Sequence, residues 1–174
     1  MNLDADDFTL LGLPRAFALD RALLDSHWKA VQAKVHPDRF AAEGGAAQRV
    51  AMQWAVRVNE AHQRLKDPLK RAAYLCELGG SPVRSESNTA MPADFLMQQM
   101  QWREELEDAD GLPQVETLST EVETHRAERV ARLSRLLDQE HDPEQAALEV
   151  RALMFIDRLG EEINHRIEQY EDGL

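Results

Sequence analysis

The chain has 174 residues, 43% of them hydrophobic and 30% charged, and a formal net charge of −12. That length holds one medium or two small domains, and the composition is that of a folded protein rather than a disordered one. The charge is lopsided: residues 1–80 carry 11 Lys plus Arg against 10 Asp plus Glu, whereas residues 81–174 carry 9 against 22. Such asymmetry points to two units with different partners, and the acidic half argues against nucleic acid, whose phosphates require clustered cations.

No apolar run approaches the roughly 20 residues needed to span a bilayer, so no membrane association is expected. The acidic start of the chain lacks the basic and apolar stretches of a signal peptide, and the cytoplasm is the expected location. The single cysteine, Cys76, excludes an internal disulfide framework and any Cys-x-x-Cys zinc site.

Alternating β-branched runs are absent, and apolar residues recur at helical spacing throughout. The first long helix is predicted to start after Asp20, a favourable N-cap, with the stripe Leu24, Trp28, Val31 and Val35. Pro37 ends it, because the residue before a proline avoids the helical region. The small-residue stretch 41–48 reads as a loop. A second helix carries Ala47, Val50, Ala51, Trp54, Val58, Ala61 and Leu65 on one stripe. Asp67-Pro68 then restarts the chain as a short helix that stops at Gly79-Gly80.

Residues 81–92 are polar, hold two prolines and show no periodicity, which predicts a linker. Three further helices are expected at about 93–109, 113–139 and 143–171, broken by Gly111 with Pro113 and by Asp142-Pro143. Short connections between amphipathic helices imply antiparallel packing in a bundle. The resulting division is 1–80, a linker at 81–92, and a bundle at 93–174.

Two chemically informative places emerge. In the first, two antiparallel helices are joined by a loop that begins His36-Pro37-Asp38. Proline fixes φ and so restricts its neighbours, presenting a histidine and a carboxylate at the tip of a hairpin. Lys29, Lys34 and Arg39 fall outside the apolar stripe and are suited to steering the tip toward an acidic surface. A solvated turn with no partner is the bland alternative.

The second place is helix 93–109. At about 100° per residue, Phe95, Trp102 and Leu106 form the core stripe, while Leu96, Met97 and Met100 occupy another face together with Glu104. Either that second face is an adaptable docking patch, or the helix is central in its bundle and buries both.

An enzyme is not indicated. No nucleophile–base pair can be recognised, Gly44-Gly45 lacks the lysine and helix entry of a phosphate-binding loop, and the carboxylates lie on solvated helix faces. The six histidines are scattered without metal-ligand spacing, and His27, His62 and His125 are expected at helix surfaces or boundaries. Cys76, between Leu75 and Leu78, is expected to be a buried thiol, and no metal or cofactor is expected.

His36-Pro37-Asp38, followed in order by Asn59-Glu60-Ala61, Leu65-Lys66-Asp67-Pro68, Arg71 and Tyr74, resembles the J-domain pattern. Three stretches extend the likeness: Phe8 to Pro14, Asp67 to Leu75, and Phe95-Leu96-Met97 through Arg103-Glu104-Glu105-Leu106. Together they resemble the HscB-type J-domain co-chaperones of iron–sulfur cluster assembly over nearly the whole chain. The resemblance implies an all-α, L-shaped molecule: an N-terminal J-domain hairpin and a C-terminal three-helix bundle.

It also implies two partners and no catalysis of its own. His36, Pro37, Asp38, Lys29, Lys34 and Arg39 would address a specialised heat-shock ATPase of the HscA type and stimulate its ATP hydrolysis. Leu96, Met97, Met100, Glu104 and Phe155 would hold the cluster scaffold protein, of the IscU type. Gln101 departs from the family's tendency to carry glutamate there. A general J-domain co-chaperone, or a helical adaptor for another folded client, is the alternative.

Overall fold

The computed structural model describes residues 2–84 and 86–173, and among them there are seven α-helices, one 310 helix and no strand. The chain divides into two compact units, Met1–Leu75 and Cys76–Leu174.

The first unit opens with α1 (Asp7–Leu10), whose N-cap Asp6 accepts hydrogen bonds from the backbone of Phe8 and Thr9. The Asp6 carboxyl is lowered to about 2: burial raises it, but hydrogen bonds from Arg15 and from the Thr9 hydroxyl and backbone overcome that effect. Its neighbour Asp7 is fully buried, 2.7 Å from Arg57 and 3.0 Å from Arg64 on α3 (Gly45–Lys66). A buried carboxylate is tolerable only when paired in this way, so it fastens α1 to α3.

The long hairpin is α2 (Arg21–Val35) against α3. Asp20 caps α2 as expected, accepting from the Ala22 and Leu23 amides. The stretch expected to be a loop at 41–48 is shorter in the structure. A 310 helix, Pro37–Glu43, follows α2 directly, and α3 is already under way at Gly45. Alanines 46 and 47 favour helix, and Gly44, at φ +96°, makes the backward turn that a side chain would oppose.

Val50 is likewise displaced from its expected role, since the core stripe of α3 runs through Ala51, Val58, Ala61, His62 and Leu65 and leaves Val50 exposed. The Asp67 side chain accepts from the Leu69 and Lys70 amides to start α4 (Pro68–Leu78). The buried Arg71 on that helix closes the unit by donating to the Phe17 and Leu65 carbonyls.

In the second unit α5 (Ala93–Asp108), α6 (Leu112–Asp138) and α7 (Pro143–Glu171) form a bundle, with α6 and α7 packed most extensively. Its core joins Phe95, Trp102 and Leu106 to Val115, Leu118, Val122, Leu133 and Leu136 from α6, and to Leu153, Ile156, Leu159 and Ile163 from α7. Glu149 is buried between Arg129 at 2.8 Å and Arg132 at 3.1 Å. That bridge ties α6 to α7.

The segment 81–92 is held at several points. Val83 and Pro92 are buried, and the buried Arg151 of α7 donates to the Val83 carbonyl at 2.9 Å and the Ala90 carbonyl at 3.0 Å. Burial pushes the Arg151 guanidinium down from its ordinary value. Each such bond to a charged donor contributes about 1.5 kcal/mol or more. Arg151→Met is therefore expected to speed trypsin cleavage after Arg84 by roughly tenfold or more, measured by the decay of intact chain under native conditions. Unchanged cleavage would show that the arginine does not restrain the segment.

Candidate functional sites

The loop after α2 is built by its own residues. The Asp38 amide donates to Nδ1 of His36 at 3.3 Å, the Arg39 amide donates to the His36 carbonyl at 3.1 Å, and Pro37 occupies the first position of the 310 helix. Nδ1 also lies 3.5 Å from the Asp38 carboxylate. The two contacts exclude one another, because a nitrogen that accepts from an amide carries no proton to give a carboxylate. In the accepting form the ring proton sits on Nε2, so the exposed imidazole offers a donor outward.

Arg39 does not extend freely into solvent. Its guanidinium reaches back to the Ala33 carbonyl at 3.0 Å, satisfying one of the carbonyls left open at the end of α2. Lys34 lies in the last turn of that helix, where a cation suits the helix dipole. Lys29 and Lys34 are both exposed, yet five residues of helix separate them by roughly 140° of rotation. Lys29 and Lys34 thus do not share one face of α2.

Beneath the loop, the hairpin is clamped by polar and aromatic contacts between α2 and α3. Trp28 Nε1 donates to Asn59 at 3.0 Å, and the Trp28 ring stacks on His62 with centroids 4.4 Å apart. His62 Nε2 donates to Asp25 at 2.7 Å. That hydrogen bond, opposed by burial and reinforced by Arg21, holds the Asp25 carboxyl below its usual range.

His62 is therefore not the surface or boundary residue expected; it is buried. Its spacing of 4 from Val58 and 3 to Leu65 was the available signal. His27 and His125 are half-buried, with His27 Nδ1 2.8 Å from the Leu11 carbonyl and His125 edge-on to Trp102.

On α5, Phe95 and Trp102 are fully buried, while Leu96, Met97 and Met100 are 44%, 77% and 69% exposed. The helix does not bury both faces. Glu104 is exposed beside them, and Gln101 donates to Glu105 at 2.8 Å on its own helix. Phe155 of α7 is half-buried, edge-on to Phe95 at 5.7 Å, with the Arg103 guanidinium 5.3 Å from its ring centre. Arg103 is anchored in turn by Glu162 at 2.5 Å. Met100, Glu104 and Phe155 meet with Gln99, Arg103 and Glu107 around one shallow depression of about 380 Å³.

Other chemistry finds little footing. Among the described residues no group of His, Cys, Asp and Glu is arranged to hold a metal, and no helix is long and apolar enough to cross a membrane. Cys76 is buried, and burial pushes its thiol up to about 11 despite the nearby Arg151. A protonated thiol of that kind is a poor nucleophile.

The family described as the HSCB C-terminal oligomerisation domain matches residues 91–164. A protein from Burkholderia mallei named "Co-chaperone protein HscB homolog" is 51% identical over 98% of this chain and 99% of its own. A relative of the same name from Bordetella pertussis is 49% identical over 91% of this chain and 94% of its own. Among solved structures, chaperone HscB from Vibrio cholerae is 37% identical, covering 95% of this chain and 99% of its own with a TM-score of 0.76. The human co-chaperone HscB is 25% identical over 95% and 84%, with a TM-score of 0.83.

Helical hairpin, His-Pro-Asp tip and a bundle with an open apolar face define a J-domain co-chaperone, a class that works by docking and not by catalysis. The chain belongs to the HscB family of co-chaperones.

The loop geometry makes a spectroscopic prediction. In 15N–1H correlation spectra of the neutral His36 ring, Nδ1 is expected to show the unprotonated shift and Nε2 the protonated one. The reverse pattern would rule out the cap on the Asp38 amide.

Proposed function

We propose that this chain binds an iron–sulfur cluster scaffold protein of the IscU type, delivers it to a heat-shock ATPase of the HscA type, and stimulates that partner's ATP hydrolysis in the cytoplasm. The observation that carries the reading is the exposed Leu96–Met97–Met100 face of α5, in a chain that also carries exposed His36 and Asp38 on either side of a half-buried Pro37.

Exposed methionines form an apolar surface that adapts to its partner, and the depression beside Phe155 gives that surface a pocket for an anchor side chain. Glu104 and Glu107 on its rim favour a client with basic groups at the matching positions. At the other site, the Nε2–H of His36 and the carboxylate of Asp38 supply one donor and one acceptor to polar groups of the ATPase. Lys29, Lys34 and Arg39 favour an acidic surface there and speed encounter. Holding both partners on one chain raises each one's effective concentration for the other. The stimulation itself is a linked change of state in the ATPase. From the description of the matched family we add self-association of the second unit to the proposal.

Two experiments test it. His36→Gln is expected to reduce stimulation of the HscA-type ATPase in steady-state phosphate release to near the basal rate, while leaving scaffold affinity unchanged. Full stimulation by His36→Gln would remove the loop from the mechanism. The double variant Leu96→Ser/Met100→Ser should weaken scaffold binding by about tenfold or more, read by calorimetry, with the fold checked by circular dichroism. Wild-type affinity in that folded variant would exclude the α5 face as the client site.

A further inference from the structure

Sulfur is unevenly exposed in this chain, which has one cysteine and six methionines. Cys76 is buried, and burial pushes its thiol up to about 11, so it presents little thiolate to an oxidant. Among the described residues Met91 and Met154 are half-buried, whereas Met52, Met97 and Met100 are 59%, 77% and 69% exposed. A thioether needs no deprotonation to react, and access governs how fast it is oxidised. The accessible sulfur of the second unit is therefore concentrated on one face of α5, where Met97 and Met100 stand three residues apart beside Leu96.

From this placement we propose that Met97 and Met100 are reversible oxidation sites, and that sulfoxide formation there switches off docking on the α5 face. The proposal deepens the client-site reading and rests on it for that consequence, while the reactivity of the two sulfurs stands apart from it.

The oxidant is a peroxide. The thioether lone pair attacks one peroxide oxygen, and the S–O bond forms as the O–O bond breaks. The departing hydroxide takes the proton of the transferred OH and becomes water. Sulfur loses two electrons and the peroxide gains them. A thiol-dependent sulfoxide reductase reverses the change, the oxygen leaving as water while two thiols become a disulfide.

The surroundings of the pair make the change costly for docking. A sulfoxide oxygen accepts hydrogen bonds and donates none, so burying it under a partner requires a donor close by. Met100 lines the depression with Gln99, Arg103, Glu104, Glu107 and Phe155. The carboxylates of Glu104 and Glu107 only accept, and Arg103 is already bound to Glu162 and lies against the Phe155 ring. In the free protein water solvates the exposed sulfoxides. The buried face of α5 carries Phe95, Trp102 and Leu106 and no sulfur, so oxidation alters the docking surface and spares the core. A client seated on the face covers both sulfurs, and docking and oxidation therefore oppose one another.

Peptide mass spectrometry on the full chain during timed exposure to dilute hydrogen peroxide reads the sites. Met97 and Met100 should gain an oxygen atom severalfold faster than Met91 and Met154, and saturating scaffold protein should slow them without slowing Met52. Calorimetry on the treated chain should show scaffold affinity lower by about tenfold or more, restored by sulfoxide reductases, with an unchanged circular dichroism spectrum. Met52→Leu should lose affinity on oxidation as the unmodified chain does. Met97→Leu/Met100→Leu should bind equally before and after peroxide. Oxidation of Met97 and Met100 no faster than that of the half-buried pair would overturn the site assignment. Full affinity in the oxidised chain, or an equal loss in oxidised Met97→Leu/Met100→Leu, would overturn the switch. An untreated chain with no affinity for scaffold would sink the client reading and the switch together, while the mass spectra still decide the oxidation sites.

Discussion

Phe95 sets the rotation of α5, and the exposed apolar face of the second unit follows from that rotation. Its ring is fully buried, edge-on to Trp102 at 5.9 Å and to Phe155 at 5.7 Å, with the Arg129 guanidinium 4.6 Å from its centre. Three contacts from α5, α6 and α7 thus converge on one side chain. With Phe95, Trp102 and Leu106 turned inward, the helix cannot also bury Leu96, Met97 and Met100. The apolar patch is thus the geometric complement of the core. The hydrophobic effect that builds the bundle also decides which apolar side chains it must leave outside.

The first unit achieves a different kind of constraint. The loop after α2 is a short stretch of chain restrained from both sides. Pro37 fixes its own backbone, the Asp38 amide caps on His36, and Arg39 reaches back to the Ala33 carbonyl. Behind the loop, Trp28, Asn59, His62 and Asp25 hold α2 and α3 together by hydrogen bonds and ring stacking. Presentation of two small polar groups therefore depends on contacts well outside the signature tripeptide. Rigid support of this sort fixes where the His36 ring and the Asp38 carboxylate stand.

The two units also differ in how they hold charge. Asp7 and Glu149 are buried and each is met by two arginines, so the interior charges are neutralised locally. The excess of negative charge lies on outer helix faces such as Glu104 and Glu107. Charge on such faces contributes little to the fold.

Much of this was legible along the chain because the responsible interactions are local. Helix starts at Asp20 and Asp142, stops at Pro37 and Gly79, and the stripe Phe95–Trp102–Leu106 all follow from capping, proline geometry and a period of 3.6 residues. The tripeptide His36-Pro37-Asp38 was readable for the same reason. Three things were decided only by tertiary structure. Periodicity could not say whether α5 buries one face or two, since that depends on how many neighbours it has. Val50 shares a pattern with the core of α3 yet faces outward, while His62 looks polar yet is buried against Trp28 and Asp25. The grip of Arg151 on Val83 and Ala90 joins residues 68 and 61 positions apart. Local sequence encodes what a segment prefers, and only the packed chain supplies the distant partner that tells a polar side chain where it is satisfied.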